Sequence, residues 1–382
     1  MLELPPLSLY IHFPWCARKC PYCDFNSHAL HGAIPEENYL QALRDDLQEE
    51  VAQAKGRAIH SIFIGGGTPS LVSVAVIARL IAECREKLRF EPEAEITMEA
   101  NPGSSEQEKF TALHAAGINR LSIGVQSFSG SQLLALGRVH DSGEAKAAIL
   151  AAQQAGFRRI NVDLMFGLPG QSVEEALSDL RQALDLGVRH LSWYQLTLEK
   201  NTQFYRHPPE LPGEELIEEM QARGKELLAR YGLHQYEVSA FAKPGEECRH
   251  NRNYWALGDY LAIGAGAHGK VTDLAGRRIR RYQKTRQPQD YLERTGSRTS
   301  AEEWIEGDEL LFEGLMNGLR LVSGVPLTTL LHRTGASRAQ LERLCQKAVE
   351  RQLLLLSPTV RATEQGFRYL DSLLEMIAEA SG

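Results

Sequence analysis

The sequence predicts an α/β protein whose first half is a partial (βα)6 barrel. Three observations carry that expectation. Short runs rich in Ile, Val, Leu and Phe recur six times before residue 200, each followed by a stretch of helical periodicity. Polar residues gather at the ends of these runs. The rhythm then stops near Arg230, and a different composition follows.

The expected strands are Leu7–Phe13, Ile59–Ile64, Glu95–Ala100, Arg120–Val125, Arg159–Leu164 and His190–Leu196. Between them, Glu36–Ala54 carries Leu40, Leu43, Leu47 and Val51 at helical spacing. Val173–Leu186 opens on a capping box, Ser172 with Glu175, and stops at Gly187. Gly117 and Gly156 punctuate other helices in the same way. Six such units imply parallel strands joined by crossovers. Eight would close a barrel, so six give a partial one; a doubly wound open sheet is the competing arrangement.

Five of the six strands end in polar residues: Gly66-Gly67-Thr68, Glu99 with Asn101, Gln126, Asp163 and Gln195. In a βα barrel the C-terminal strand ends converge on one mouth, where active sites lie. Any one of these residues caps a helix as readily as it binds a ligand. Five together point to a shared site.

Past Arg230 the chain divides again. Residues 231–300 form a connecting region of glycines, aromatics and a basic run, Arg277, Arg278, Arg280, Arg281, Lys284 and Arg286. From 301 to 382 the pattern is helical: Ala301–Leu319, Pro326–Arg333, Arg338–Arg351 and Glu364–Ala380, with an apolar run at Leu353–Leu356. This resembles a small winged-helix-like domain. Three parts result: 1–230, 231–300 and 301–382.

Hydrophobic residues are 43% of the chain and charged residues 24%, the balance of a soluble globular protein. No apolar run approaches the roughly 20 residues of a membrane span. There is no basic segment ahead of an apolar one at the N-terminus. A cytoplasmic protein is expected. The formal net charge of −7 disfavours broad nucleic-acid binding, and the helical domain lacks a long basic recognition helix, so no nucleic-acid partner is expected.

Of six cysteines, Cys16, Cys20 and Cys23 crowd into eight residues just after the first strand. The C-x3-C-x2-C spacing lets three thiolates from one loop reach three irons of a cubane cluster, leaving the fourth iron for a small molecule. A structural zinc would need a fourth ligand from His12, His28 or His31, and a C-x2-C pair alone also suits redox chemistry. Cys84 and Cys345 lie among apolar residues as core thiols. Cys248 stands two residues before His250.

The cysteine loop with Tyr22 before its last thiol, followed by Gly65-Gly66-Gly67-Thr68-Pro69 after the second strand, resembles the radical-SAM superfamily. The likeness runs along nearly the whole chain. Pro5 to His12, Cys20 to His28, Glu99-Ala-Asn101-Pro102-Gly103, Ser122 to Phe128, Asp163 to Gly170 and Trp193-Tyr-Gln-Leu are similar to the oxygen-independent coproporphyrinogen III oxidase group. That oxidase carries a fourth cysteine two residues after the third; here Phe25 stands there. It also has a longer extension before the first strand. These departures, with His250-Asn251-x-x-Tyr254-Trp255, resemble the haem-chaperone branch of the group.

The resemblance implies a [4Fe-4S] cluster on Cys16, Cys20 and Cys23. It places S-adenosylmethionine against Tyr10, Gly66, Gly67, Thr68, Glu99, Gln126, Arg138 and Asp163. It places haem against His250, with His268 a second candidate. Taken as ordinary residues, Tyr10 is a core aromatic, Arg138 a surface charge and the His-Asn-x-x-Tyr-Trp stretch a loop anchor. The function implied is a haem chaperone that hands haem to acceptor proteins, membrane cytochromes among them. The alternative is oxygen-independent coproporphyrinogen III dehydrogenase, a radical-SAM oxidative decarboxylase. Whether the chain is an enzyme stays open on sequence. Read from its residues, the basic run is either a solvated hairpin face or a docking patch for haem propionates or for an anionic membrane surface, the last giving peripheral membrane contact.

Overall fold

A computed structural model describes residues 2–103 and 107–381. Its centre is a run of parallel strands in sequence order: β1 (Leu7–Phe13), β2 (Ile59–Gly66), β3 (Phe90–Ala100), β4 (Arg120–Gln126), β5 (Arg159–Phe166) and β6 (His190–Gln195). The order never reverses. A doubly wound sheet needs a reversal, so the partial barrel is the arrangement adopted.

Each strand alternates apolar and polar residues, and the period of two sorts them onto opposite faces. Leu7, Leu9, Ile11, Ile62, Ile64, Ile96, Met98, Leu121, Ile123, Val162 and Leu191 share the outer face and are fully buried. Helices α1 (Glu36–Ala54), α2 (Val74–Lys87), α3 (Phe110–Ala115), α4 (Ser142–Gln154) and α5 (Val173–Asp185) pack there through residues such as Leu43, Ile77, Phe110, Ile149 and Leu180. The capping box of α5 closes in both directions between Ser172 and Glu175.

The inner face is polar: Ser8, Tyr10 and His12 on β1, Glu95, Thr97 and Glu99 on β3, Arg120 and Ser122 on β4, Asn161 and Asp163 on β5, His190 and Ser192 on β6. A helix, α7 (Arg249–Trp255), lies on that face, after α6 (Glu214–Arg230). Asn253 donates to Ser8 (2.9 Å), His250 Nδ1 meets Ser61 Oγ (3.2 Å), and the Arg249 backbone N–H donates to Glu95 (2.9 Å).

Residues 231–305 supply both edges of the same sheet, so the connecting region runs past residue 300. At one edge stand β7 (His234–Gln235) and β8 (Ala240–Ala242). At the other stand β9 (Asp259–Ile263), parallel to β1, then β10 (His268–Asp273), β11 (Arg278–Lys284) and β12 (Thr299–Ile305), each antiparallel to its neighbour. The helix expected from Ala301 therefore begins later, as α8 (Gly307–Gly318). Cross-strand pairing decides it: Glu302 and Glu303 on β12 meet Arg280 and Arg281 on β11.

Helices α8, α9 (Leu327–Thr334), α10 (Arg338–Glu350) and α11 (Leu370–Ser381) close a second core of Leu311, Leu315, Leu330, Leu341, Leu344 and Leu373. A three-stranded ribbon completes it, from Val325–Pro326, Thr359–Ala362 and Leu354–Leu355. The continuous helix expected over Glu364–Ala380 is broken at Tyr369 into Glu364–Arg368 and α11. This unit docks on the barrel through Leu257, an Arg333–Ala256 hydrogen bond and a bridge between Glu237 and Leu321.

Candidate functional site

The cysteine loop leaves β1 at the mouth. Trp15–Cys16 pairs with His28–Ala29, pinning both ends of the loop. Inside it, the Lys19 ammonium donates to the Ser27 and Phe25 carbonyls (3.0 and 3.3 Å), and the Cys23 N–H to Cys20 O (3.2 Å). The Asn26 amide ties the loop to the Ala265 and Arg286 carbonyls (3.0 and 2.9 Å). Cys16, Cys20 and Cys23 stay half-buried and free of disulfides. Among the described residues no three His, Cys, Asp or Glu side chains converge as a single-ion site would require. Burial raises the Cys16 and Cys23 thiols, while hydroxyls of Ser27 and, at Cys16, Thr68 pull them back.

The three thiols open on a cavity of about 660 Å³. Ten of the twelve expected site residues line it: the cysteines with Gly66, Gly67, Thr68, Glu99, Gln126, Arg138 and Asp163. Arg138 is no surface charge. It is half-buried, donates to Asn101 (2.7 Å) and the Gly124 carbonyl (2.6 Å), and reaches Cys20 Sγ at 3.6 Å, with its Nε left unpartnered. Gln126 sits at φ +69°, a left-handed backbone, and accepts from Tyr194 OH (2.7 Å).

The glycines have a packing reason as well as a ligand one. A Cβ on Gly67 would stand 2.5 Å from the Trp15 carbonyl oxygen, and one on Gly66 (φ +113°) 2.4 Å from the His12 ring. Gly66 N–H donates to Glu99 (3.0 Å). Among the described residues no other donor meets Glu99: burial, then the nearby Asp163, push its carboxyl up to about 8. Burial also raises Asp163, opposed by hydrogen bonds from Ser192, Asn161 and Ser122.

Tyr10 and His250 fall in an adjoining cavity of about 690 Å³. Its walls are aromatic. Tyr10 and Phe63 stack with centroids 6.3 Å apart; Phe63 and His250 lie 5.2 Å apart, and Tyr254 and Tyr260 5.1 Å apart. Phe25, Gly66, Glu99, Asn251 and Trp255 line both cavities, so the two open onto each other. The His250 imidazole is held neutral, its pKa lowered to about 3 mainly by burial.

Sequence reading misses Ser192, Tyr194, Glu237 and Arg320, which also line the first cavity. The alternation His190-Leu-Ser192-Trp-Tyr194 carries the signal for the first two. Nothing local marks Glu237 or Arg320, which the docking of the C-terminal unit brings in. Burial pushes Glu237 up to about 7. The basic run forms a mixed-charge surface instead of a bare positive one: Arg278 pairs with Asp273, Arg280 with Glu302, Arg281 with Glu303 and Glu313, and buried Lys284 with Asp46 and Glu50. Cys84, Cys248 and Cys345 are buried; Cys248 Sγ lies 3.4 Å from Glu95.

A polar-lined partial barrel with three thiols at its mouth defines a class. A family model described as the Radical SAM superfamily matches residues 10–183, and one described as the HemN C-terminal domain matches residues 305–369. "Heme chaperone HemW" of Escherichia coli (strain K12) is 48% identical, covering 98% of this chain and 99% of that protein. Its namesake in Haemophilus influenzae is 46% identical, covering 98% and 99%. A Bos taurus protein, "Radical S-adenosyl methionine domain-containing protein 1, mitochondrial", is 36% identical, covering 96% and 86%. The chain belongs to the HemW family. Its fold matches the solved coproporphyrinogen III oxidase (HemN) of Escherichia coli at a TM-score of 0.83 over 98% of this chain and 90% of that one, at 22% identity, a likeness of fold alone. No helix among the described residues is long and apolar enough to cross a membrane.

Proposed function

We propose that this protein is a haem chaperone: it holds a [4Fe-4S] cluster and S-adenosylmethionine at the barrel mouth, carries haem in the adjoining aromatic cavity, and passes it to acceptor haem proteins. The observation that carries the reading is the pairing of the two cavities. One is polar and bears three free thiols; the other is walled by rings; they share five residues.

Cys16, Cys20 and Cys23 would ligate the cluster. A bound cluster leaves one iron for the amino acid end of S-adenosylmethionine and supplies redox chemistry there. The chain's residues do the rest. Arg138 stands beside Cys20 on the cavity wall, where its guanidinium offers positive charge to a carboxylate. Glu99 and Asp163 stand close together on the cavity wall and suit the ribose hydroxyls or the ammonium of the ligand. Gly66 and Gly67 bring backbone within reach of it. Tyr10 stacks on Phe63 in the aromatic cavity, so its contact with S-adenosylmethionine would run through the shared rim. Tyr254, Trp255 and Phe63 offer ring faces to a macrocycle.

The test uses anaerobically purified protein with its cluster reconstituted. Haem is titrated while the Soret band is followed, and coproporphyrinogen III turnover is assayed on the same sample. Stoichiometric haem binding without decarboxylation is the expected result. Conversion of coproporphyrinogen III would overturn the chaperone reading in favour of the dehydrogenase.

A further inference from the structure

Three imidazoles line the aromatic cavity: His12, His250 and His268. Their surroundings separate them. His12 has both ring nitrogens engaged, Nδ1 with Tyr10 OH (2.9 Å) and Nε2 with the Asn26 carbonyl (2.9 Å). His250 has Nδ1 on Ser61, whose hydroxyl bonds Ser8 in turn (2.7 Å), and its ring lies against Phe63 and Tyr10. It belongs to the packed floor that holds α7 on the sheet. His268 is exposed, and among the described residues its ring makes no hydrogen bond or ion pair.

His268 is also rigidly presented. It opens β10, the antiparallel neighbour of β9, and so stands at the mouth end of the sheet. The turn before it runs through Gly264 and Gly266, both at positive φ. A Cβ on Gly266 would stand 2.1 Å from Asn26 Nδ2, and one on Gly269 2.1 Å from the Tyr282 ring. Asn26 belongs to the cysteine loop, so the imidazole and the cluster thiols share one scaffold. Register places Gln283 beside His268, and three residues on Arg286 enters the same cavity.

Resting on the haem-carrying reading, we propose that His268 is an axial ligand of the haem iron in this cavity and that Arg286 pairs with a propionate of the same haem. The cavity lies within the size range of small-molecule sites and is ring-walled, as a flat macrocycle requires. A neutral imidazole with a free nitrogen meets the iron, and a guanidinium meets a carboxylate.

The experiment compares haem titrations of the reconstituted full-length protein, followed by Soret absorbance and electron paramagnetic resonance. The variants are His268→Ala, His268→Met, His250→Ala and Arg286→Gln. His268→Ala is expected to lose the imidazole-ligated spectrum and bind haem at least about tenfold more weakly, with free imidazole restoring the spectrum. His268→Met is expected to change the spectrum to that of thioether ligation, a result that general misfolding does not produce. Arg286→Gln should keep the spectrum and weaken binding. Wild-type spectrum and affinity in both His268 variants, with loss in His250→Ala, would overturn the assignment while leaving the chaperone reading intact. Absence of saturable haem binding by the wild-type protein would sink that reading and the ligand assignment with it.

Discussion

Glu95 and Glu99 sit four residues apart on β3 and point to the same inner face, Glu95 fully buried and Glu99 half-buried at the cavity wall, and their surroundings are opposite. Glu95 is surrounded by donors: the Arg120 guanidinium (3.3 Å), the Arg249 N–H (2.9 Å) and the His250 N–H (3.4 Å). Among the described residues Glu99 has the Gly66 N–H alone, with Asp163 adding a like charge. One carboxylate is finished by the fold; the other lacks a cation. The same division runs across the whole inner face. Much of the floor is a hydrogen-bonded network, in which Asn161 alone meets Ser122, Asp163, Ser192 and His190, although the Thr97 hydroxyl is left unpartnered among the described residues. The mouth keeps bare thiols, an unpartnered Arg138 Nε and an uncompensated Glu99. A polar interior that satisfies itself holds the barrel together, and one that does not is waiting for a ligand.

The sharpest way to break this division is at the thiols. Cys20→Ser is expected to abolish cluster loading, read as iron and sulfide content after reconstitution. Apo-protein stability should stay within about 0.5 kcal/mol, as for a partly exposed side chain. The Arg138 beside it is held by Asn101 and the Gly124 carbonyl in any case. A collapsed apo fold would place Cys20 in the floor instead. The next effect is on the floor itself. Glu95→Ala strands Arg120 in the interior and removes the acceptor at the start of α7, for a loss of about 3–5 kcal/mol in denaturant unfolding. Glu99→Gln in the same assay should cost nothing or stabilise. Equal losses would erase the distinction.

Glu99 adds a pH signature. Its folded pKa, about 8, lies above the ordinary carboxylate value of 4.5. Between those values the folded protein keeps a proton that the unfolded chain releases. The stability this group contributes is therefore full below pH 4.5 and lost as pH rises to about 8. A cationic ligand needs the carboxylate, so below about pH 8 binding must expel the proton. Affinity for S-adenosylmethionine should rise with pH by up to about tenfold per unit and level off above the folded pKa. The ratio of wild-type to Glu99→Gln affinity cancels titration of the ligand itself. A ratio flat from acid to alkaline pH, by calorimetry, would mean that Glu99 faces no cation.

Much of the barrel is legible locally. Five of the six strands begin where the sequence says, because each has its own apolar period; β3 starts earlier, at Phe90, ahead of its apolar stretch. The strand-end polar residues gather as expected, and the cysteine spacing and the glycine run mark the mouth by themselves. The strand-end rule does not reveal the polar floor. Ser8, Glu95 and Asn161 lie away from the strand ends at the mouth, and only the alternation with Leu9, Ile96 and Val162 shows that they face inward. Two further features need tertiary pairing. Glu302 and Glu303 read as helix surface until the neighbouring strand brings Arg281 opposite Glu303 and Arg280 diagonally within reach of Glu302. Glu237 and Arg320 reach the cavity only because the C-terminal unit docks there.

That pairing sets the smallest expected effect. The basic run reads as a docking patch for an anionic membrane, but Arg280 is held by Glu302 and covers the Tyr282 ring at 4.8 Å. Its charge is spent within the hairpin, near the outer edge of the sheet. Arg280→Glu sets two carboxylates side by side across β11 and β12 and loses a partly exposed pair, which costs up to about 1 kcal/mol. Sedimentation with anionic vesicles should not change, because little free positive charge is removed. A marked drop in vesicle binding by Arg280→Glu, at unchanged haem affinity, would show that the hairpin meets a membrane despite its paired charges, and would restore the patch as a surface apart from both cavities.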